Sequence, residues 1–266
     1  MPNLTPATVC VRASGRLPFW LGGFFGGDLG VSYSYSQPVS TLLAGKLGIT
    51  ATLSLIAFLL VIVISIPLAL LLARKEGSVF DRVFSAVTQV TMSIPPFFIG
   101  IIFTSVFGLA LRLFVAGNFV SAEENFWGFL GYLFFPALSI ALPKSAMTVK
   151  LLRSSILSEL DEDYVRTAYS RGHSRKSALR YHVLRNSIIP VITFLAVTIA
   201  DIVAGSIIVE QVFIVPGLGR LLLLSISNRD YPVVLSIIMI ISALVIFVNF
   251  LADVAYQLVD PRIRLQ

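Results

Sequence analysis

Few side chains in this sequence stand where they could do chemistry. Lys144 and Asp201 are two charges set well inside long apolar stretches. A charge at the centre of a membrane-crossing helix costs about 2.5 to 3.5 kcal/mol on insertion scales, so such groups sit where water, a counter-charge or a solute meets them. Cys10 is the single cysteine, which rules out an intrachain disulfide, and with His173 and His182 as the two histidines no metal-ligand spacing is present. The sequence also lacks a nucleophile elbow, an HExxH pair and a GxxxxGK[ST] phosphate loop. No catalytic residue, metal site or bound cofactor is therefore expected of this chain.

The densest polar chemistry runs over residues 162–190, EDYVRTAYSRGHSRKSALRYHVLRNSIIP, a charged island between apolar runs. Ser158 followed by Asp161 reads as a helix-start box, and Asp161, Glu162 and Asp163 place negative charge where a helix dipole favours it. Leu157, Leu160, Tyr164 and Ala168 then fall near one face, with Arg166 and Arg171 elsewhere. Gly172 suits the left-handed turn that ends such a helix, and Ser174 suits the cap of a second one. In that second helix Leu179 and Val183 share a face, and Asn186 with Pro190 leads into the next apolar run. The pattern predicts helix, glycine bend, helix. By its physics alone such a basic element fits either an interfacial helix on anionic lipid or a docking surface for a soluble partner.

The elements that must position these residues follow from composition: 56% of residues are hydrophobic and 13% charged, and the mean hydropathy is +0.90, against about 25% charged in a soluble domain. A helix needs roughly 20 apolar residues to cross the hydrocarbon. Five runs qualify, at about 49–73, 87–111, 131–152, 188–210 and 233–258. None alternates as a barrel strand would. The expected fold is an all-α, polytopic transmembrane helical bundle of about five spans. It divides into an external segment 1–48, a membrane domain 49–258 with a loop at 153–187, and a tail 259–266.

Orientation follows from Lys and Arg, which gather on the cytoplasmic side. Arg74, Lys75 and Arg82, the basic residues of the island from Arg153 to Arg185, and Arg262 and Arg264 share one side, whereas the opposite loops hold Arg112, Arg220 and Arg229. The basic side and the C-terminus are expected to be cytoplasmic. That bias accounts for the net charge of +6 without nucleic acid as a partner. On these spans Lys144 lies about eight residues, roughly 12 Å, from the basic end of its helix, and Asp201 about thirteen residues, roughly 20 Å, into its own. A direct pair would need offset or tilted helices. Polar lining of a path is one reading; snorkelling of Lys144 and a local hydrogen bond for Asp201 is the other. Pro67, Pro95, Pro96, Pro136 and Pro143 predict kinks.

The island has the form YVRTAxxxG followed by HxLRNxxxP, carried by Tyr164, Val165, Arg166, Thr167, Ala168, Gly172, His182, Leu184, Arg185, Asn186 and Pro190. It resembles the EAA loop of ABC importer inner-membrane permease subunits, in the version of the dipeptide and oligopeptide branch. Of the general EAA-x3-G form, Ala168 and Gly172 match. Residues 210–234, EQVFIVPGLGRLLLLSISNRDYPVV, are similar to that branch's external loop, through Pro216, Gly217, Gly219, Asn228, Arg229, Asp230 and Tyr231. Residues 19–43 and the ending DPRIR are similar to the same branch, so the resemblance covers roughly 19–264.

The resemblance implies a bacterial inner-membrane transport subunit that imports short peptides and does no covalent chemistry. Its implied partners are a second permease, two cytoplasmic ATPase chains that hold ATP and Mg, a periplasmic or lipid-anchored binding protein, and membrane lipid. The loop, including Arg171, would seat on an ATPase, with Tyr164, Val165 and Ala168 as an apolar knob and Arg166 and Arg171 at its rim. A turn at Pro216 to Gly219 would lead to a short external helix from Leu221. Nickel chelates and glutathione are carried by similar proteins with the same loops. Members of the family usually begin with a further membrane helix, and Met1 to Arg16 looks unlike them, so five spans rather than six are expected, from a misassigned start, a frameshift, a decayed and truncated gene or an actual five-span variant. A proton-coupled secondary transporter using Asp201 would show internal repeats, and none is visible.

Overall fold

The computed structural model describes residues 22–24, 26–172 and 174–259. Cys10, His173 and the DPRIR ending lie outside the described residues. Among those described the molecule is helical, with an isolated bridge between Val31 and Pro38. A short α1 (Val39–Leu43) leads into α2 (Lys46–Arg74). The buried positions of α2, among them Thr50, Leu53, Ala57, Val61, Ser65, Ala69 and Leu72, recur every three or four residues, so one stripe packs inward and the rest faces outward.

The expected second span is broken. α3 (Val79–Ser93) and α4 (Pro96–Phe103), which continues as a π-helical turn over Thr104–Ala110, meet at an angle of 102°. Ile94 and Pro95 each precede a proline, which disfavours the helical region for both, and their ψ angles are 124° and 142°. α2 runs through Pro67, and α5 (Phe126–Leu160) runs through Pro136 and Pro143. The prolines that interrupt are thus the adjacent pair.

α5 is also longer than the 131–152 read from hydropathy. Its N-terminus is capped by the Asn125 side chain, which accepts from Gly128 N, and its far end passes through Ser158. The helix-start box expected at Ser158 and Asp161 is therefore the end of α5, and the next helix, α6 (Asp163–Ser170), begins after Glu162. α7 (Arg175–Ala178), a π-helical turn over Leu179–Val183 and α8 (Leu184–Ser187) follow the glycine bend. Then come α9 (Ile189–Phe213), α10 (Leu218–Ser227) and α11 (Tyr231–Val259). α10 starts at Leu218, one turn earlier than the sequence suggested.

Among the described residues four helices are long and apolar enough to cross a membrane, and the bent α3–α4 pair brings the number to as many as five. Their cores stack along the bundle. At the basic end Ala69, Leu72 and Ala73 meet Val149, Leu152 and Ile156 together with Val165, Leu179, Val183 and Val191. In the middle α2 and α5 pack with Ile202, Val209 and Phe213 of α9. At the opposite end α1, α10 and the start of α11 close a third cluster around Val39, Leu218, Leu222 and Ile237.

Candidate functional site

The charged island forms a compact element under the basic end. Gly172 has φ of 85°, the left-handed turn expected of it. Ser174 Oγ accepts from Ser177 N at 3.3 Å, as its predicted cap role requires. Tyr164 OH donates to Glu159 on α5 and is also hydrogen-bonded to Asn186, so the YVRTA and LRN segments touch through their polar members. Burial, then the Glu159 carboxylate, push the Tyr164 hydroxyl up to about 12. It stays a donor at any physiological pH.

The apolar knob expected of this element points the other way. Val165 and Ala168 are buried, Val165 in the core shared with α2, α5 and α9, and Tyr164 packs at the edge of that core. A short amphipathic helix must cover its apolar stripe, and the ends of three long helices are at hand to cover it. What α6 offers outward is Arg166, Thr167, Tyr169 and Ser170, with Arg171 and Gly172 beside them. Arg166 pairs loosely with Asp163 at 3.3 Å, both side chains largely exposed. Arg185 and Asn186 are exposed as well, and His182 lies in the π-helical turn.

Next to this element, Arg153 of α5 grips Asp81 of α3 with two hydrogen bonds, Nε to Oδ1 at 2.9 Å and a terminal nitrogen to Oδ2 at 2.8 Å. Gly77 N also donates to Asp81, and Lys150 Nζ donates to Gln89 one helical step further along. Composition hid Asp81, which reads as one charge among several in a loop.

Lys144 and Asp201 do pair: Nζ lies 2.6 Å from Oδ2. The expected offset disappears because α5 extends to Leu160, which puts Lys144 near the middle of its helix, as Asp201 is at the midpoint of α9. Among the described residues Asp201 takes Lys144 as its partner and not a neighbouring Ser or Thr.

At the opposite end two carboxylates organise the external motifs. Glu210, fully buried at the end of α9, accepts from Thr50 Oγ1 of α2 at 2.6 Å and from the backbone N–H of Gly219 and Arg220 at the start of α10. Leu218 N donates in turn to Thr50 Oγ1 at 2.9 Å. Gly217 and Gly219 follow from this: a Cβ on Gly217 would overlap the Glu210 carboxylate, and one on Gly219 would overlap the Ile207 backbone. Pro216 lies in the turn between α9 and α10. Asp230, buried before α11, accepts from Ser32 Oγ and from Tyr33 N and Ser34 N. Arg229 turns there with φ of 57°, after Asn228 ends α10 and before Tyr231 opens α11. The sequence reading missed Glu210, Thr50 and Ser32; an acid six residues ahead of the PGLG turn, near the head of α10 with its unpaired N–H groups, was the available signal.

Comparison with known proteins gives a consistent picture. Residues 65–265 match the family described as binding-protein-dependent transport system inner membrane component. The chain is 33% identical over 245 residues to the probable peptide ABC transporter permease protein y4tP of Sinorhizobium fredii (strain NBRC 101917 / NGR234), covering 92% of this chain and 78% of that one. It is 36% identical over 248 residues to the oligopeptide transport system permease protein AppB of Bacillus subtilis (strain 168), with the same coverages of 92% and 78%. Among solved structures, an inward-facing MetNI methionine ABC transporter superimposes with a TM-score of 0.66 at 17% identity, over 82% of this chain and 96% of that one. At that identity the likeness concerns the fold.

Proposed function

The chain belongs to the family of binding-protein-dependent transport system inner membrane components, and from that premise we propose that it is the permease subunit that carries short peptides through a bacterial inner membrane in an ATP-driven importer. The basic end, with α6, Gly172 and α7, faces the cytoplasm together with the C-terminus, and an ATPase chain seats against the outward face of α6. ATP and Mg are held there and not by this chain. A second permease completes the path, and a binding protein delivers the peptide at the end where α10 and the Ser32 to Tyr35 segment lie. The named relatives favour peptides over nickel chelates or glutathione.

The observation that supports this reading is the two-sidedness of α6. Its inward side chains Val165 and Ala168 are buried, Val165 in one core cluster with the ends of α2, α5 and α9, while its outward side is polar and open. A push on the outer face is therefore delivered to three long helices through close-packed side chains, which transmit displacement because protein interiors have little free volume. Reconstitution of this chain with its neighbouring permease, ATPases and binding protein in proteoliposomes tests it. Uptake of a labelled short peptide should require ATP and binding protein and be indifferent to a pH gradient. Uptake driven by the gradient without ATP would overturn it.

A further inference from the structure

Resting on the reading of this chain as a subunit that passes short peptides, we propose that Lys144 and Asp201 form a charge-neutral station in the translocation path, where the ammonium and carboxylate of a zwitterionic peptide exchange partners with the pair. The argument begins with exposure. The side chain of Lys144 is 18% exposed and that of Asp201 54% exposed. In the other α5 ion pair, Asp81 is only 6% exposed against Arg153. Asp81 is sealed as a structural staple would be; Asp201 is not. Its Oδ2 holds Lys144, and among the described residues its Oδ1 has no hydrogen-bond partner.

The outward stripe of α9 runs through Thr193, Val197, Asp201, Ala204, Ile208 and Gln211, all exposed and spaced three or four residues apart. At mid-helix a half-exposed carboxylate cannot be left facing hydrocarbon at reasonable cost. In the proposed importer we place this stripe on the path that the second permease completes, and not against lipid.

The pairing itself selects the solute. A Lys–Asp pair carries no net charge, so it neither concentrates cations nor anions in the path. A peptide ammonium can reach the free Oδ1 while its carboxylate approaches Lys144, and at every stage each charge keeps an opposite partner. Such a two-for-two exchange avoids the uncompensated buried charge that makes breaking an ion pair costly. A solute with a single charge strands one member of the pair.

The test uses the whole transporter, with both permeases, ATPases and binding protein, in proteoliposomes. Uptake of three tripeptides of equal length, with net charge of plus one, zero and minus one, is measured for the wild type, Lys144→Met, Asp201→Asn and the double variant. Because the binding protein is unchanged, its preference cancels when ratios are compared between variants. Lys144→Met leaves a lone carboxylate and should raise the cationic-to-anionic uptake ratio about tenfold; Asp201→Asn should lower it by a similar factor. The neutral double variant should restore the wild-type ratio. Parallel loss of all three peptides, or unchanged ratios in assembled complexes, would show a staple or a bystander and overturn the station. If the wild type imports no peptide with ATP, the functional reading beneath it fails instead, and the two failures are distinct.

Discussion

Thr50 Oγ1 donates to Glu210 Oε1 at 2.6 Å and accepts from Leu218 N at 2.9 Å, so one hydroxyl ties α2, the end of α9 and the start of α10 together. Every group pointing at the Glu210 carboxylate is a donor, and the backbone N–H groups at the head of α10 would otherwise be buried without partners. The acid and the PGLG turn are one device, in which the glycines let backbone and carboxylate approach.

Glu210→Gln should weaken that device. The new amide brings a donor against donors and leaves one buried N–H or O–H unpaired, at about 1 to 3 kcal/mol. Gly219→Ala should cost a similar amount, about 1 to 3 kcal/mol, because its methyl meets the Ile207 backbone and α9 and α10 must separate. Gly205→Ala on α9 is the control, since nothing lies within 4 Å of its added Cβ. Thermal unfolding of the detergent-purified complex should place the first two well below the wild type and the third at or above it.

Asp230 should hold the Ser32 to Ser34 segment over a wide pH range. Burial pushes its carboxyl up, but the hydrogen bonds from Ser32, Tyr33 N and Ser34 outweigh burial and hold it below the usual aspartate range. For a depressed carboxylate the stabilisation is present above the unfolded value, about 3.9, and is lost only as pH falls through the lower folded value. Amide exchange at Tyr33 and Ser34 should therefore stay protected from neutral pH down to about 4. Asp230→Asn replaces one of the two accepting oxygens with a donor and should weaken the protection at neutral pH.

How much of this was legible depends on the interaction involved. The spans were legible because burial in lipid is a composition signal, and the glycine bend at Gly172 because positive φ has few other tenants. The length of α5 was not, because its last two turns are polar on the outside and apolar only on the side that meets α6, so a hydropathy window closes at Leu152. The same error hid the Lys144–Asp201 pair. The inward turn of Val165 and Ala168 was also hidden: an amphipathic stripe states that something covers it and not whether the cover is the chain itself or another protein. Asp81 with Arg153 and Asp230 with Ser32 join residues far apart in sequence, and no local pattern marks such partners.

Asp81→Asn should destabilise the basic end by about 3 kcal/mol, since it leaves the Arg153 guanidinium without its bidentate carboxylate in a half-buried site. A double-mutant cycle with Arg153→Met, read by thermal unfolding, should return a coupling energy of at least about 1 kcal/mol. A coupling near zero would mean that the Gly77 N–H, and not the arginine, holds the Asp81 carboxylate in place.

The two faces of α6 make the sharpest separation. Val165 is buried among α2, α5 and α9 residues, so Val165→Ala should lower stability by roughly 2 kcal/mol and reduce ATP-driven uptake only as far as folding is impaired. Gly172→Ala forces a side chain into φ of 85° and should cost about 1 to 2 kcal/mol. Tyr169 and Arg166 are exposed and touch little of the core, so Tyr169→Ala and Arg166→Ala should leave unfolding within about 0.5 kcal/mol of the wild type. They should nevertheless uncouple transport, lowering peptide uptake and the stimulation of ATP hydrolysis by loaded binding protein together. The physical reason is that an outward, solvent-facing side chain contributes to stability only when a partner covers it. Uptake and stimulated hydrolysis measured on the same proteoliposomes, beside unfolding of the same preparations, check this. If Tyr169→Ala and Arg166→Ala transport at the wild-type rate, the ATPase engages some other surface of the basic end.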